Sequence, residues 1–168
     1  MSDTVPLPVG TETAPLDPRD PWSRERCPMA ATLGVVSTRT AFLLLREAFY
    51  GARRFDEFVQ RAEVSEPVAA MRLRELVEQG LMERVPYQDP GQRTRSGYRL
   101  THKGAELLPA LVALMDWGDR WALEDGARVG LRHAGCGEPV HAMLLCDAGH
   151  DVDATGLELI LRPPEHRT

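Results

Sequence analysis

Residues 73–104, LRELVEQGLMERVPYQDPGQRTRSGYRLTHKG, decide the fold. In order they hold the end of an amphipathic helix, Gly80 as a left-handed stop, and the strand-like run LMERVPY. A loop containing DPG and two arginines follows, then the strand-like run SGYRL, and then Thr101, placed to cap a new helix. A hairpin that carries arginines directly after a helix needs a reason, because the chain as a whole is acidic, with a formal net charge of −5.

The charge is not spread evenly. From Arg84 to Lys103 there are five basic residues against one acid, Asp89; from Gly104 to Thr168 there are five against eleven. A surface that binds phosphate needs a local field rather than a basic protein, so the acidic total does not exclude nucleic acid.

Upstream of this stretch, Ser65 is placed to cap a helix over residues 66–79. At 100° per residue Ala69, Leu73, Leu76 and Val77 share its inner face, with Arg72 at the edge. Pro67, Ala70, Met71, Arg74 and Glu78 look outward. The outer face from Pro67 to Met71 is small and nearly uncharged, which suits entry into a major groove about 12 Å wide. Its N-terminus and the Ser65 hydroxyl suit phosphate contact, and Arg72 and Arg74 reach toward phosphates or a guanine edge. Arg93 and Arg95, two apart in the wing at residues 86–97, suit a narrow minor groove. The alternative is an ordinary solvated helix followed by a hairpin that uses charge against edge pairing.

Three helices precede this pair. CPMAATLGVV carries Pro28 in its first turn. TRTAFLLLREAFYG sets Phe42, Leu45 and Phe49 on one face, and RFDEFVQRA is short and amphipathic. After the hairpin one long helix is expected over HKGAELLPALVALMDWGDRWAL. Its Leu107, Leu111, Leu114 and Trp121 recur at helical spacing beside Leu108 and Met115, and Pro109 costs it a small kink. The order of four helices, a two-stranded wing and a helix is a winged helix-turn-helix: a mainly α fold with a small β-hairpin wing. Residues 1–22, with five prolines, read as a disordered arm, 23–125 as the DNA-binding and dimerisation domain, and 126–168 as a C-terminal extension.

CPMAATLGVVSTRTAFLLLREAFYGARRFDEF, VSEPVAAMRLRELVEQGLMERVPY and YRLTHKGAELLPALVALMDWGD together resemble the HxlR-type family of bacterial winged-helix regulators, relatives of the MarR-type proteins. One departure is Thr40 after STR, where the family usually has tryptophan. The resemblance implies a homodimer, formed by the first and last helices of the core domain, that binds an inverted repeat in double-stranded DNA and regulates transcription. Apolar residues around most of the last helix support pairing; the alternative is that they pack under the C-terminal segment. A dimer sets two reading helices about 34 Å apart, one turn of duplex.

Cys27 matches a cysteine that senses oxidants or electrophiles in some family members. Arg24, Arg26 and the following helix N-terminus would favour its thiolate. The opposing reading is a small buried apolar residue. A small-molecule effector is equally open.

The extension holds His133, Cys136, Cys146 and His150, spaced H-x2-C and C-x3-H, with Gly135, Gly137 and Gly149 permitting tight turns. This resembles a small zinc-ribbon-like hairpin. Three readings compete: a structural zinc site, a lost site held by packing, and a Cys136–Cys146 disulfide. His141, mid-run, is the poorer ligand. No catalytic triad, H-E-x-x-H or phosphate loop is present, so an enzyme is not expected. The start lacks signal-peptide regions and no apolar run reaches membrane length, so the cytoplasm is expected and no membrane partner. A winged-helix module that binds protein or ligand and has lost DNA binding remains the alternative function.

Overall fold

The computed structural model describes residues 27–88, 91 and 93–157. The expected N-terminal arm, Arg24, Arg26, the hairpin-tip residues Asp89, Pro90 and Gln92, and everything after 157 lie outside them. The elements are α1 (Pro28–Val35), α2 (Arg39–Phe49), α3 (Phe55–Arg61), α4 (Glu66–Glu78), β1 (Met82–Tyr87), β2 (Arg95–Leu100), α5 (His102–Ala105) and α6 (Leu108–Trp121). They all belong to one compact unit, residues 24–142; the described residues of a second unit are 143–157. No single described helix is long and apolar enough to cross a membrane.

The core is built around α2. Ala41, Leu44, Leu45 and Ala48 recur at three- and four-residue spacing and are buried. Phe58 of α3, Leu73 and Leu76 of α4, Leu81, Met82, Tyr98 and Leu111 close around them. Each large apolar side chain so buried contributes roughly 1.5–3 kcal/mol. The face of α2 differs slightly from the expected one: Leu45 is central, but Phe42 and Phe49 are half-buried at the rim. Thr40, where the family usually has tryptophan, is half-buried as well.

The turn from α3 to α4 passes through Glu63 at φ 52°, a left-handed conformation that costs a side-chain-bearing residue roughly 1–2 kcal/mol. Ser65 stands at the N-cap of α4 with extended backbone, but its hydroxyl makes no cap bond. The cap expected from sequence is therefore positional only. Ala69, Leu73 and Leu76 point into the core and Val77 is half-buried, as the 100° pattern requires.

β1 and β2 pair antiparallel from Met82 with Leu100 to Tyr87 with Arg95. The hairpin is held at both sides. Tyr98 packs edge-on against Phe58, with ring centroids 5.9 Å apart, and its N–H donates to the Arg53 carbonyl at 2.8 Å. At the base, the Thr101 N–H donates to the Leu81 carbonyl at 3.0 Å. The Thr101 hydroxyl donates to the Gly80 carbonyl at 2.6 Å and accepts from the Gly104 N–H at 3.1 Å. Lys103 Nζ donates to the Gln79 carbonyl at 2.7 Å. These bonds occupy carbonyls that the end of α4 would otherwise leave unpaired.

Three expectations need correcting. The last helix is not continuous: Thr101 caps only the single turn of α5, and α6 starts at Leu108. Pro109 has no N–H and its ring excludes the carbonyl four residues back, so it serves as a first-turn residue of a new helix rather than as a kink within one. The apolar stripe also divides. Leu107 and Leu111 pack on the core, whereas Leu114 and Trp121 stand exposed with Trp117. Beyond Ala127, where strand-like structure was expected, the described residues form only two isolated bridges, Arg132–Pro139 and Leu145–Asp151.

A Cβ on Gly104 would lie 2.1 Å from the Leu81 carbonyl oxygen, against backbone that cannot yield. Gly104→Ala is therefore expected to destabilise the protein by about 1–3 kcal/mol or more. Gly118→Ala in α6, where a Cβ meets nothing within 4 Å, serves as the control and gains up to about 1 kcal/mol of helix propensity. Denaturant melts of the two variants check the difference.

Candidate nucleic-acid interface

The outer surface of α4 is open. Glu66, Pro67, Met71, Arg74 and Glu78 are exposed and Ala70 is half-buried. Pro67, Ala70 and Met71 together make a shallow apolar strip along the outer N-terminal half of the helix. The two arginines of α4 differ. Arg72 donates to Glu75 at 2.7 Å and its side chain is only 23% exposed, so its charge is matched on its own helix. Arg74 is exposed and makes no ion pair among the described residues.

The wing makes the same division. Arg99 is paired across the strands with Glu83 at 2.6 Å. Arg84 lies over the Tyr98 ring at 6.0 Å. Arg93 in the loop and Arg95 at the start of β2 are exposed and without an ion pair among the described residues. Among the described residues of α4 and the wing, Arg74, Arg93 and Arg95 are the arginines that are exposed with neither an ion pair nor a ring contact.

At the start of α3, the backbone N–H groups of Arg53 and Arg54 both donate to Glu57 Oε2, at 2.7 and 2.9 Å. Those bonds hold the Glu57 carboxyl below the ordinary carboxylate range, because they favour the charged form. The Arg54 guanidinium lies 5.1 Å from the Tyr87 ring centroid. Sequence reasoning passed over this corner. RFDE did carry the signal: an acid three residues into a short helix is the back-reaching half of a capping box.

A profile of the HxlR-like helix-turn-helix matches residues 35–125, more than half of the chain. The chain belongs to the HxlR-like helix-turn-helix family. It is 41% identical over 124 residues to an uncharacterized HTH-type transcriptional regulator of Mycobacterium tuberculosis, covering 73% of this chain and 77% of that protein. Among solved structures it is similar to PA1607, a candidate transcription factor, with a TM-score of 0.71 and 33% identity over 83% of this chain and 97% of that one. It is also similar to the redox regulator HypR, with a TM-score of 0.50 and 27% identity, covering 59% of this chain and 99% of that one. As an HxlR-like chain it is a winged-helix protein of the DNA-binding, transcription-regulating kind.

Cys27 stands at the N-cap of α1, half-buried, with no side-chain cap bond. The other two cysteines, in the extension, are exposed, and all three are free thiols.

The two metal-type pairs fall in different units and are described separately. In residues 24–142, His133 Nδ1 lies 3.2 Å from Cys136 Sγ. Bonds of about 2.3 Å to sulfur and 2.0 Å to nitrogen at a tetrahedral zinc would set two such atoms about 3.5 Å apart. The Gly137 N–H returns to the His133 carbonyl at 2.8 Å, and a Cβ on Gly135 would press on the imidazole at 2.8 Å. In the second unit, backbone N–H groups of His150 and Ala148 directed at Cys146 hold its thiol below the usual range. Among the described residues no three His, Cys, Asp or Glu side chains gather as a metal cluster.

Proposed function

We propose that this HxlR-like chain is a sequence-specific transcriptional regulator that binds an inverted repeat as a homodimer, with the helix over residues 66–79 in the major groove and the wing at 86–97 in the minor groove. The observation that carries this reading is an open, nearly uncharged strip (Pro67, Ala70, Met71) together with three arginines that have no ion pair among the described residues (Arg74, Arg93, Arg95). Ser65 sits at the helix entrance, where phosphate contact is most favourable. Arg72, matched by Glu75, must trade that pair for any DNA contact.

Pairing of two copies is favoured by exposed apolar groups on both helices implicated from sequence. Met29 and Leu33 of α1 are 72% and 52% exposed, and Trp117 and Trp121 of α6 are 62% and 70% exposed. A monomer gains nothing from such surface, and an interface does. Binding to a duplex pool selected from random sequence should yield a two-fold symmetric site. Arg93→Ala/Arg95→Ala should weaken binding to every duplex and lower the slope of log K against log salt by about two. Tight binding with an unchanged slope contradicts the wing's role; no retardation of any duplex favours a module that has lost DNA binding.

HypR is a redox regulator, and this supports an oxidant-responsive role for Cys27. Mild oxidant should release DNA from the wild type and leave the Cys27→Ser complex intact. Equal release from both refutes the role.

Zinc is the proposed cofactor of the extension, with His133, Cys136, Cys146 and His150 as donors. The spacing of the first pair and the hydrogen-bonded thiol of the second suit it. Protein purified without chelator should carry about one zinc per chain, and Cys136→Ser should lose it. Metal-free protein whose melting point ignores added zinc contradicts the assignment.

A further inference from the structure

On the outer face of α4, Pro67, Met71, Arg74 and Glu78 are all exposed. Their spacing of four, three and four residues sets them in one line along the helix. Ala70, half-buried, lies beside Pro67 and Met71. Met71 is 41% exposed, and among the described residues from α2 to the end of β2 no other large apolar side chain is left exposed. It takes no part in the core or in the apolar layer packed on it. The helices and hairpin thus enclose their large apolar groups with one exception, a flexible and polarisable thioether in the middle of the outer face of α4.

The hydrogen-bonding inventory of this line limits what it can recognise. The side chains of Pro67, Ala70 and Met71 hold no donor, and the thioether is only a weak acceptor. Arg74 brings donors one turn further on, and Glu66 and Glu78, toward the two ends of the helix, bring acceptors only. The stretch from Pro67 to Met71 rises about 6 Å, the length of about two base-pair steps. Base edges in the major groove are polar apart from the thymine C5-methyl. Against polar edges alone, the Met71 side chain would displace water from donors and acceptors and replace none of their bonds, which is unfavourable. Against a methyl it removes two apolar surfaces from water at once.

We propose, on the reading that α4 enters the major groove, that Met71 is a specificity-determining residue that selects thymine. Its side chain packs, together with the Ala70 methyl, on the thymine C5-methyl in each half-site. Arg74 acts one turn away and is not part of this contact.

The test uses the full chain and the duplex recovered by selection from random sequence. Each thymine of the half-site is replaced in turn by deoxyuridine, which removes the C5-methyl and keeps every hydrogen-bonding group of the base. Fluorescence anisotropy gives the affinity of the wild type, Met71→Ala and Arg74→Ala for each duplex. Both substitutions fall at exposed helix positions and introduce the strongest helix former, so the fold is retained. At one or two positions per half-site, deoxyuridine is expected to weaken wild-type binding about fourfold. Met71→Ala should lose most of that discrimination, whereas Arg74→Ala should bind more weakly and keep it. A recovered half-site without thymine, an affinity that ignores every deoxyuridine, or an equal deoxyuridine effect in Met71→Ala overturns the role of Met71 without touching groove entry by α4. Failure to recover any duplex overturns groove entry itself, and the thymine contact with it.

Discussion

The join between the stop of α4 and the return of the wing sets the rest of the domain. Gly80 ends the helix at φ 69° and turns the chain into β1. Three consecutive carbonyls, of Gln79, Gly80 and Leu81, then take bonds from Lys103, the Thr101 hydroxyl and the Thr101 N–H. A helix end ordinarily leaves such carbonyls to solvent or to local turns. Here the residues that satisfy them lie some twenty positions later, on the far side of the hairpin. The helix α4 and the wing are therefore joined at their shared base. Gly104 permits it, because no side chain fits between that backbone and Leu81.

This join gives meaning to the charge distribution. An acidic chain can still present a positive face if its cations are sorted, and the structure sorts them by local pairing. Arg61 meets Glu57, Arg72 meets Glu75 and Arg99 meets Glu83, each by a pair on or next to its own element. Exposed pairs of this kind add little to stability. Their consequence here is to leave Arg74, Arg93 and Arg95 as the exposed arginines of α4 and the wing with neither an ion pair nor a ring contact among the described residues. The join at the base of the wing ties the start of β1 and the end of β2 to the C-terminal end of α4.

The last helix shows how one element serves several surfaces. Leu111 and Val112 face inward. Leu114, Trp117 and Trp121 are exposed, and Val112, Met115, Asp116 and Asp119 wall a cavity under the residues beyond the helix. Asp116 is the fastening point. Hydrogen bonds from the Ala142 N–H and His141 hold its carboxyl below the ordinary range, so the charged form persists throughout neutral pH. An apolar sequence pattern around much of a helix has more than one solution, and here each side meets something different.

The order of elements was legible in residues 27–121, because period-3.6 burial, a glycine stop and alternating strand residues are local signals that need no partner to be read. The helix α4 and its inner face at Ala69, Leu73 and Leu76 follow from that arithmetic. The break at Pro109, the missing cap bond of Ser65 and the split of the Leu107–Trp121 stripe did not, since each depends on what stands opposite in space. Nor did the buried Glu47: its spacing from Leu44 put it on the core side, but its charge argued for solvent, and only its ion pair with Arg46 reconciles the two. Sequence determined the topology and the kinds of side chain on each face. Tertiary structure decided which arginines are free and which carboxylate is enclosed, because pairing and enclosure are properties of distance between elements rather than of position along the chain.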